Sequence, residues 1–444
     1  MAYSSKTGKR PNEYASKSSH SHIINDSSVQ QFLANCDMPK HAEEIDFSED
    51  HVYFHFTPPR DNPINHIIAV DGGYTEVIVQ PEFPSATIGF FQIGALIFSI
   101  DDLENLDVQP FINPSDISKL KNIQRLKLTI PIKNIVIQGE PTLTSSVRRS
   151  LYDFFRQDIE DETLIDTLRW FIFQEFGSQK LTWNLSSCPV CEHSNIELSK
   201  KSMSNQHTFG CPYCDSEIFL TDVFRLHEAI DDELGAGGVL GYITTTLEQI
   251  VFVHLIRIML KTKPDLLKHV LLIKDGPLAF FGQTANMHIP MRGLITFLLN
   301  SKDLFMAGLE KSGPFVEHAH EIYDIIDNGS ILLLNNEYIY KYVMPGIADP
   351  KRPYGSTTYY SNKLIFKTRS GSIYVVSVPT TDILPFPHEA DLQNLPVILT
   401  NIEKLKCDMY DNALLPVALA NKLVSLSNHP SSRILQKFAT QSIH

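Results

Sequence analysis

The stretch His66-Ile-Ile-Ala-Val-Asp71-Gly-Gly-Tyr-Thr-Glu-Val77 and its later counterpart Leu271-Leu-Ile-Lys-Asp275-Gly-Pro-Leu-Ala-Phe-Phe-Gly282 decide how this chain is read. In each, a short apolar run ends in an aspartate that glycine follows at once. Apolar runs of this length read as strands, and Gly-Gly or Gly-Pro behind them reads as a turn. The expected arrangement is two strands that each carry a carboxylate at the C-terminal rim, a position that ligands and metals favour in α/β sheets. Two neighbouring carboxylates repel each other and a divalent cation relieves that repulsion, so Asp71 and Asp275 suit an oxygen-ligated magnesium or manganese ion. The competing reading is that both motifs are turns whose aspartate caps the backbone.

Outward from these motifs, Thr75–Val79 and Ala86–Ile100 are rich in β-branched and aromatic residues and read as further strands. Ile117–Leu128, with Lys119, Lys121, Arg125 and Lys127, reads as mostly helical, as does Val147–Phe176. Helices are also expected at Val29–Asn35, Thr221–Glu233, Tyr242–Lys261 and Pro416–Leu426. Strands are expected at His269–Ile273, Ser330–Leu334, Leu364–Thr368 and Ser372–Val378. Strands open the chain, helices intervene and strands return, which makes the class α/β or mixed α+β. Residues 1–28 are Ser-, Lys- and His-rich without apolar period and are expected to be disordered.

A second signal stands apart from the first. Cys188-Pro-Val-Cys191 and Cys211-Pro-Tyr-Cys214 are two CxxC knuckles with the spacing of a four-cysteine zinc ribbon, expected as a small module over residues 185–220. Four thiolates close a tetrahedron around Zn2+ and leave no position for water, so the ion is structural. Lys200, Lys201 and His207 between the knuckles are available to phosphates or to a protein partner. Cys36 and Cys407 have no spaced partner and read as small buried hydrophobes.

With 444 residues, the chain has room for a large domain in two parts, 29–184 and 221–444, around the ribbon. Apolar residues make up 43% and charged residues 20%, the balance of a globular protein. The longest apolar runs, near Ile88–Ile100 and Ile250–Leu260, are too short for a membrane span or carry His254 and Arg257, so no membrane role is expected. The polar N-terminus does not resemble a secretory signal, and a cytoplasmic location is expected. The net charge of −13 disfavours a protein that grips DNA unaided, because phosphate binding depends on Lys and Arg. The cluster Lys119–Lys133 is basic against this background and lies either along a DNA path or on a solvated face.

The two aspartate motifs together resemble those of the NurA nucleases, in which an apolar strand ends in Asp-Gly-Ser or similar and a later segment reads Asp-Gly-Pro-Leu. The resemblance covers roughly residues 62–100, 240–315 and 360–428. It implies a ribonuclease H-like central sheet with flanking helices, and a catalytic Mn2+ or Mg2+ ion held by Asp71, Asp275 and a glutamate on the helix before the second aspartate. Glu248, the only acid in TTTLEQIVFVHLIRIML, stands at that place. FMAGLEKSG resembles the family's segment after the Asp-Gly-Pro-Leu helix, which gives Lys311 a phosphate contact. LLPVALANKLVSLS resembles the final helix, whose Ala-His pair is Ala420-Asn421 here; Asn hydrogen-bonds but does not exchange a proton near neutrality as His does. His388 and His429 are possible substitutes, and Glu76 is a weaker candidate for an outer ligand. The resemblance also implies a DNA nuclease that is a homodimer and docks on a HerA-type hexameric ATPase, serving DNA end processing or anti-phage defence. The alternative is a catalytically inactive adaptor or DNA-binding scaffold on the same fold. An aspartyl-nucleophile phosphatase lacks the DxDx sequence it would need near Asp71.

Overall fold

The computed structural model describes residues 17–45, 47, 53–80, 82, 84–100, 123–159, 161–177, 179–407, 413–426 and 431–442. The readings made for Lys119, Lys121, His429 and residues 1–16 lie outside them. Its N-terminal third runs α1 (Lys17–Ile24), α2 (Ser27–Ala34), β1 (Tyr53–His55), β2 (His66–Gln80), β3 (Ala86–Ser99), β4 (Ile123–Lys133), α3 (Leu143–Phe155), β5 (Asp158–Ile159), β6 (Glu162–Thr163) and α4 (Leu164–Ile172). The middle holds β7 (Thr182–Ser187), β8 (Ser194–Ser199), β9 (Thr208–Gly210), β10 (Glu217–Phe219), α5 (Leu240–Thr262), β11 (Val270–Asp275) and α6 (His288–Ser301). Then follow β12 (Phe305–Glu310), α7 (Pro314–Glu321), β13 (Ser330–Leu333), β14 (Ser361–Lys367), β15 (Ile373–Pro379), α8 (Leu395–Lys404), α9 (Leu415–Val424) and α10 (Ser431–Ser442).

A mixed sheet of nine strands, ordered β1-β13-β14-β15-β12-β11-β2-β3-β4, forms the middle layer. β11 lies parallel to both β2 and β12, and the remaining pairs are antiparallel. Val270–Lys274 is buried along its whole length, as a strand covered on both faces must be. Alternation then assigns the faces. Ile68, Val70 and Leu272 point into a core shared with α3, α4, α5 and α6. Ile67, Ala69, Leu271 and Ile273 point into a core built with α8 and α9. Beyond α9, α10 covers Val77 and Val79 through Ala439 and Leu435. The class is mixed α/β, a large sheet with helices on both sides.

Several elements differ from the sequence reading. Asp71-Gly72-Gly73 is no turn: β2 runs through it without a break and pairs residue by residue with β3 from His66 to Ile78. Residues 123–133 form a strand, not a helix, because Arg125-Leu-Lys-Leu-Thr-Ile130 alternates with period two, Arg125, Lys127 and Thr129 outward and Leu128 and Ile130 inward. The helical stretch expected over 147–176 is two helices broken by the β5–β6 hairpin, whose turn holds Asp161 at a left-handed φ of 66°. Residues 220–229 are 3-10 turns interrupted by Arg225 at φ 60°, a conformation that α-helix excludes. Lys17–Ile24, read as unstructured, is α1. Cys407 is buried as expected, but Cys36 is half-exposed.

α5 also corrects the reading of apolar runs. By length and composition alone it passes for a membrane span, yet 78% of its apolar window is buried inside the protein. Its hydrophobicity serves the core, which it crosses from Leu240 to Met259.

Candidate active site

The register of the sheet places the two aspartates side by side. Lys274 of β11 pairs with Val70 of β2, so the next residues, Asp275 and Asp71, are neighbours on parallel strands. Alternation directs both carboxylates to the α9 side. Their backbones end differently: β11 stops at Asp275, where Gly276 turns away at φ 89°, while β2 continues past Asp71 into the long β2–β3 arm. Asp275 sits at a strand rim, as read from sequence; Asp71 sits within a strand.

The two glycines after Asp71 serve close approach of helices from opposite faces. A Cβ on Gly72 would lie 2.7 Å from Thr244 Cγ2 and 3.1 Å from Glu248 Oε1, both on α5. A Cβ on Gly73 would lie 2.6 Å from the carbonyl oxygen of Val424, at the end of α9. Bare backbone here lets Glu248 reach the chain: Gly72 N–H donates both to Asp71 Oδ1, at 2.8 Å, and to Glu248 Oε1, at 3.0 Å. Glu248 is thus buried, not on a solvent-facing helix surface. Its neighbour Gln249 locks α5 to the DGPLA segment, donating to Ala279 O and accepting from Tyr360 Oη.

The charges in this cluster strain against burial. Burial and then the nearby Asp275 charge push the Asp71 carboxyl up to about 6, against the pull of Gly72 N–H and Lys311. Burial, with Asp71 and Asp275 adding to it, pushes Glu248 up to about 8, opposed by Lys274. Two ammonium groups answer the acids: Lys311 Nζ stands 2.6 Å from Asp275 Oδ2, and Lys274 Nζ stands 3.6 Å from Glu248 Oε2. Lys274 was not singled out from sequence, although a lysine inside an apolar strand and next to the aspartate is itself a signal of a buried charge. Asn421 leans on the Asp71 carboxyl and lowers its pKa slightly. Among the described residues, Asp71 Oδ2 itself is buried with no hydrogen-bond partner.

An orphaned, desolvated carboxylate oxygen beside a second carboxylate is a donor set that fits a hard divalent cation. Asp71 and Asp275 fit as direct ligands. Glu248 fits as a third only by reaching past Gly72 from the other face of the sheet, and among the described residues only the cysteines bring three or more ligand atoms within 4.8 Å of one another. Glu76 is exposed on the β2 arm and His388 on a surface loop.

The cysteines form the second site. Cys188 and Cys191 lie in the turn of the β7–β8 hairpin, Cys211 and Cys214 in that of β9–β10. The turns match: Glu192 and Asp215, each directly after the second cysteine, both hold left-handed φ, 58° and 57°. Sγ–Sγ distances of 3.8 Å join Cys188 to Cys214 and Cys191 to Cys211. A tetrahedron with Zn–S bonds of about 2.3 Å has edges of about 3.8 Å, so the four sulfurs fit zinc. The ribbon's apolar residues, Leu185, Ile196, Leu198 and Ile218, belong to the same core as α3 to α5, and Tyr152 of α3 stacks on Phe219 at 4.3 Å. Lys200 pairs with Glu175 at 2.8 Å and His207 with Asp166 at 3.4 Å, so these two groups tie the ribbon to the body of the protein; Lys201 is exposed.

No protein-family model and no curated protein matches the chain. Among solved structures, it is similar to the NurA nuclease from Sulfolobus solfataricus, with 8% identity and a TM-score of 0.34 over 97% of this chain and 98% of that one. It is also similar to NurA with manganese, with 9% identity and a TM-score of 0.29 over 94% of each chain. A third likeness, to NurA, has 10% identity and a TM-score of 0.30 over 97% of this chain and 98% of that one.

Proposed function

We propose that this chain is a divalent-metal-dependent deoxyribonuclease that hydrolyses phosphodiester bonds at Asp71 and Asp275. The observation that carries the reading is the pair itself: two aspartates in adjacent register on parallel strands, one with a buried oxygen that has no hydrogen-bond partner among the described residues. Asp71 and Asp275 would hold a manganese or magnesium ion, which would supply activation of a water nucleophile and neutralisation of charge on the leaving oxygen. The chain's own groups do the rest. Lys311 offers its ammonium to a phosphate oxygen, and Asn421 hydrogen-bonds where a histidine would exchange a proton. Without the cation Glu248 keeps its proton at neutral pH, because burial raises it to about 8. The succession β4-β3-β2-β11-β12, an antiparallel meander continued by two parallel strands, supports a ribonuclease H-like sheet. The resemblance to NurA nucleases motivates the rest of the proposal: a cytoplasmic homodimer feeding on DNA delivered by a HerA-type hexameric ATPase, in end processing or anti-phage defence. A motor's channel also supplies the steering that a net charge of −13 does not.

A second reading, a non-catalytic adaptor or DNA-binding scaffold, draws on Asn421 and on the Lys311 ammonium already beside Asp275. Cleavage of linear and circular DNA with added manganese separates the two. Activity in the wild type that disappears in both Asp71→Ala and Asp275→Ala supports the nuclease. No cleavage by the wild type, even with a HerA-type ATPase present, selects the scaffold.

A further inference from the structure

We infer that the exposed face of β4 is a backbone-binding track for single-stranded DNA leading to the aspartate pair, an assignment that rests on the nuclease reading for its direction but not for its existence. The sheet register lays it out. Arg125 pairs with Gly94 and Gly94 with Asp71, so one row across the sheet reads Arg125, Gly94, Asp71, Asp275. The next row reads Lys127, Gln92, Gly73. Directly paired residues point to the same side of a sheet. That side is the α9 side, as two contacts show independently: Gln92 Nε2 donates to Leu423 O at 2.8 Å, and a Cβ on Gly94 would lie 2.7 Å from Val424 Cγ1. Arg125 and Lys127 are therefore on the face that carries Asp71 and Asp275, just past the end of α9.

Both side chains are exposed, and neither has an ion-pair partner among the described residues. In a chain of net charge −13 that is, among the described residues, a strip of two cations with no acid paired to them. Neighbouring strands are about 4.8 Å apart, which puts Arg125 about 10 Å from Asp71 across β3. Duplex DNA rises about 3.4 Å per nucleotide along its axis and an extended single strand spaces its phosphates more widely, so that span is at most about three nucleotides. A polynucleotide with its scissile phosphate at the aspartates thus lays phosphates on Arg125 and Lys127 a few nucleotides away. β4 is also the edge of the sheet, where charged side chains serve a different purpose, preventing a second chain from adding on. Lys127 further lies near the negative C-terminal end of α9.

The test is the salt dependence of binding of the intact, zinc-loaded protein to a labelled oligothymidylate, read by fluorescence anisotropy without added manganese or magnesium. The variants are Arg125→Gln/Lys127→Gln and, as a charge-matched control at the opposite end of β11, Lys263→Gln/Lys268→Gln. Losing two single-strand phosphate contacts is expected to flatten the slope of log K against log salt by about 1.4, at about 0.7 per contact, with the control unchanged. Unchanged slope and affinity in the β4 variant overturn the track. They do so whether the variant gains self-association, which marks an edge guard, or loses thermal stability, which marks a helix-dipole partner. Equal losses in both variants also overturn it. If the wild type binds with the expected β4 dependence yet cleaves nothing with manganese, the nuclease reading fails and the track stands as a binding surface.

Discussion

Gly72 and Gly73 show how much of the site depends on absent side chains. Both lie in a regular strand, so neither is there for an unusual φ; each is there because a helix presses on it, α5 from one side and α9 from the other. Gly73→Ala sets a Cβ against a backbone carbonyl that has no rotamer to escape into. A loss of about 1–3 kcal/mol, the usual range for overpacking, is expected as a lower midpoint in denaturant. Gly72→Ala meets side chains that have more room to give, yet it displaces Glu248, so nuclease activity should fall more than stability does. At this scale the sequence was half legible. The Asp-Gly motifs announced both aspartates, but a glycine kept for close approach looks the same in sequence as a glycine kept for a turn, and Asp71 was set at a rim it does not occupy. Lys274 was overlooked because the strand around it reads as pure core.

At the scale of elements, period decides. The segment 123–133 carries three cations, Arg125, Lys127 and Lys133, and its first half reads as part of a helix over Ile117–Leu128, although its apolar residues recur every second position, and only pairing with β3 makes that pattern buried on one side. α7 offers an element-level test in acid. His318 is buried against Tyr338, its Nε2 2.8 Å from the phenol oxygen, and burial pushes its pKa down to about 4. Folded His318 then stays neutral at a pH where the unfolded chain takes up a proton near 6.5. The unfolded state binds more protons between those values, so the stability His318 contributes is present above about 6.5 and is lost as pH falls toward 4. His318→Gln should therefore show a shallower fall in stability over this window, by up to about 1.4 kcal/mol per pH unit; parallel pH profiles of the two proteins would refute the assignment. The ribbon gives a second test. Because Leu185, Ile196 and Ile218 share the main core, Cys211→Ser should release zinc and lower the melting temperature of the whole protein in one transition. A separate, early transition with the main one unmoved would show an independent module.

In the molecule as a whole, a cluster of buried acids lies between the layers of the fold. Glu248 comes from the α5 side of the sheet, while Asp71 and Asp275 face α9, and the strand backbone between them offers Gly72 N–H as a donor shared by Asp71 and Glu248. Burying acids this close costs stability that Lys274 and Lys311 offset only in part, as the raised positions of Asp71 and Glu248 record. A divalent cation held by Asp71 and Asp275, as proposed, would remove the repulsion at its source. Binding to the folded state alone stabilises by about 2.7 kcal/mol when the ion is at about a hundred times its dissociation constant. Manganese added to the zinc-loaded protein should accordingly raise the melting temperature of the wild type. The gain should vanish in Asp275→Ala and Asp71→Ala, and those variants should be no less stable than the wild type in the absence of manganese, since each removes a repelling charge. Equal manganese shifts in all three proteins would place the ion elsewhere, and variants much weaker without it would mean that the acids hold the fold through Lys311 instead of straining it.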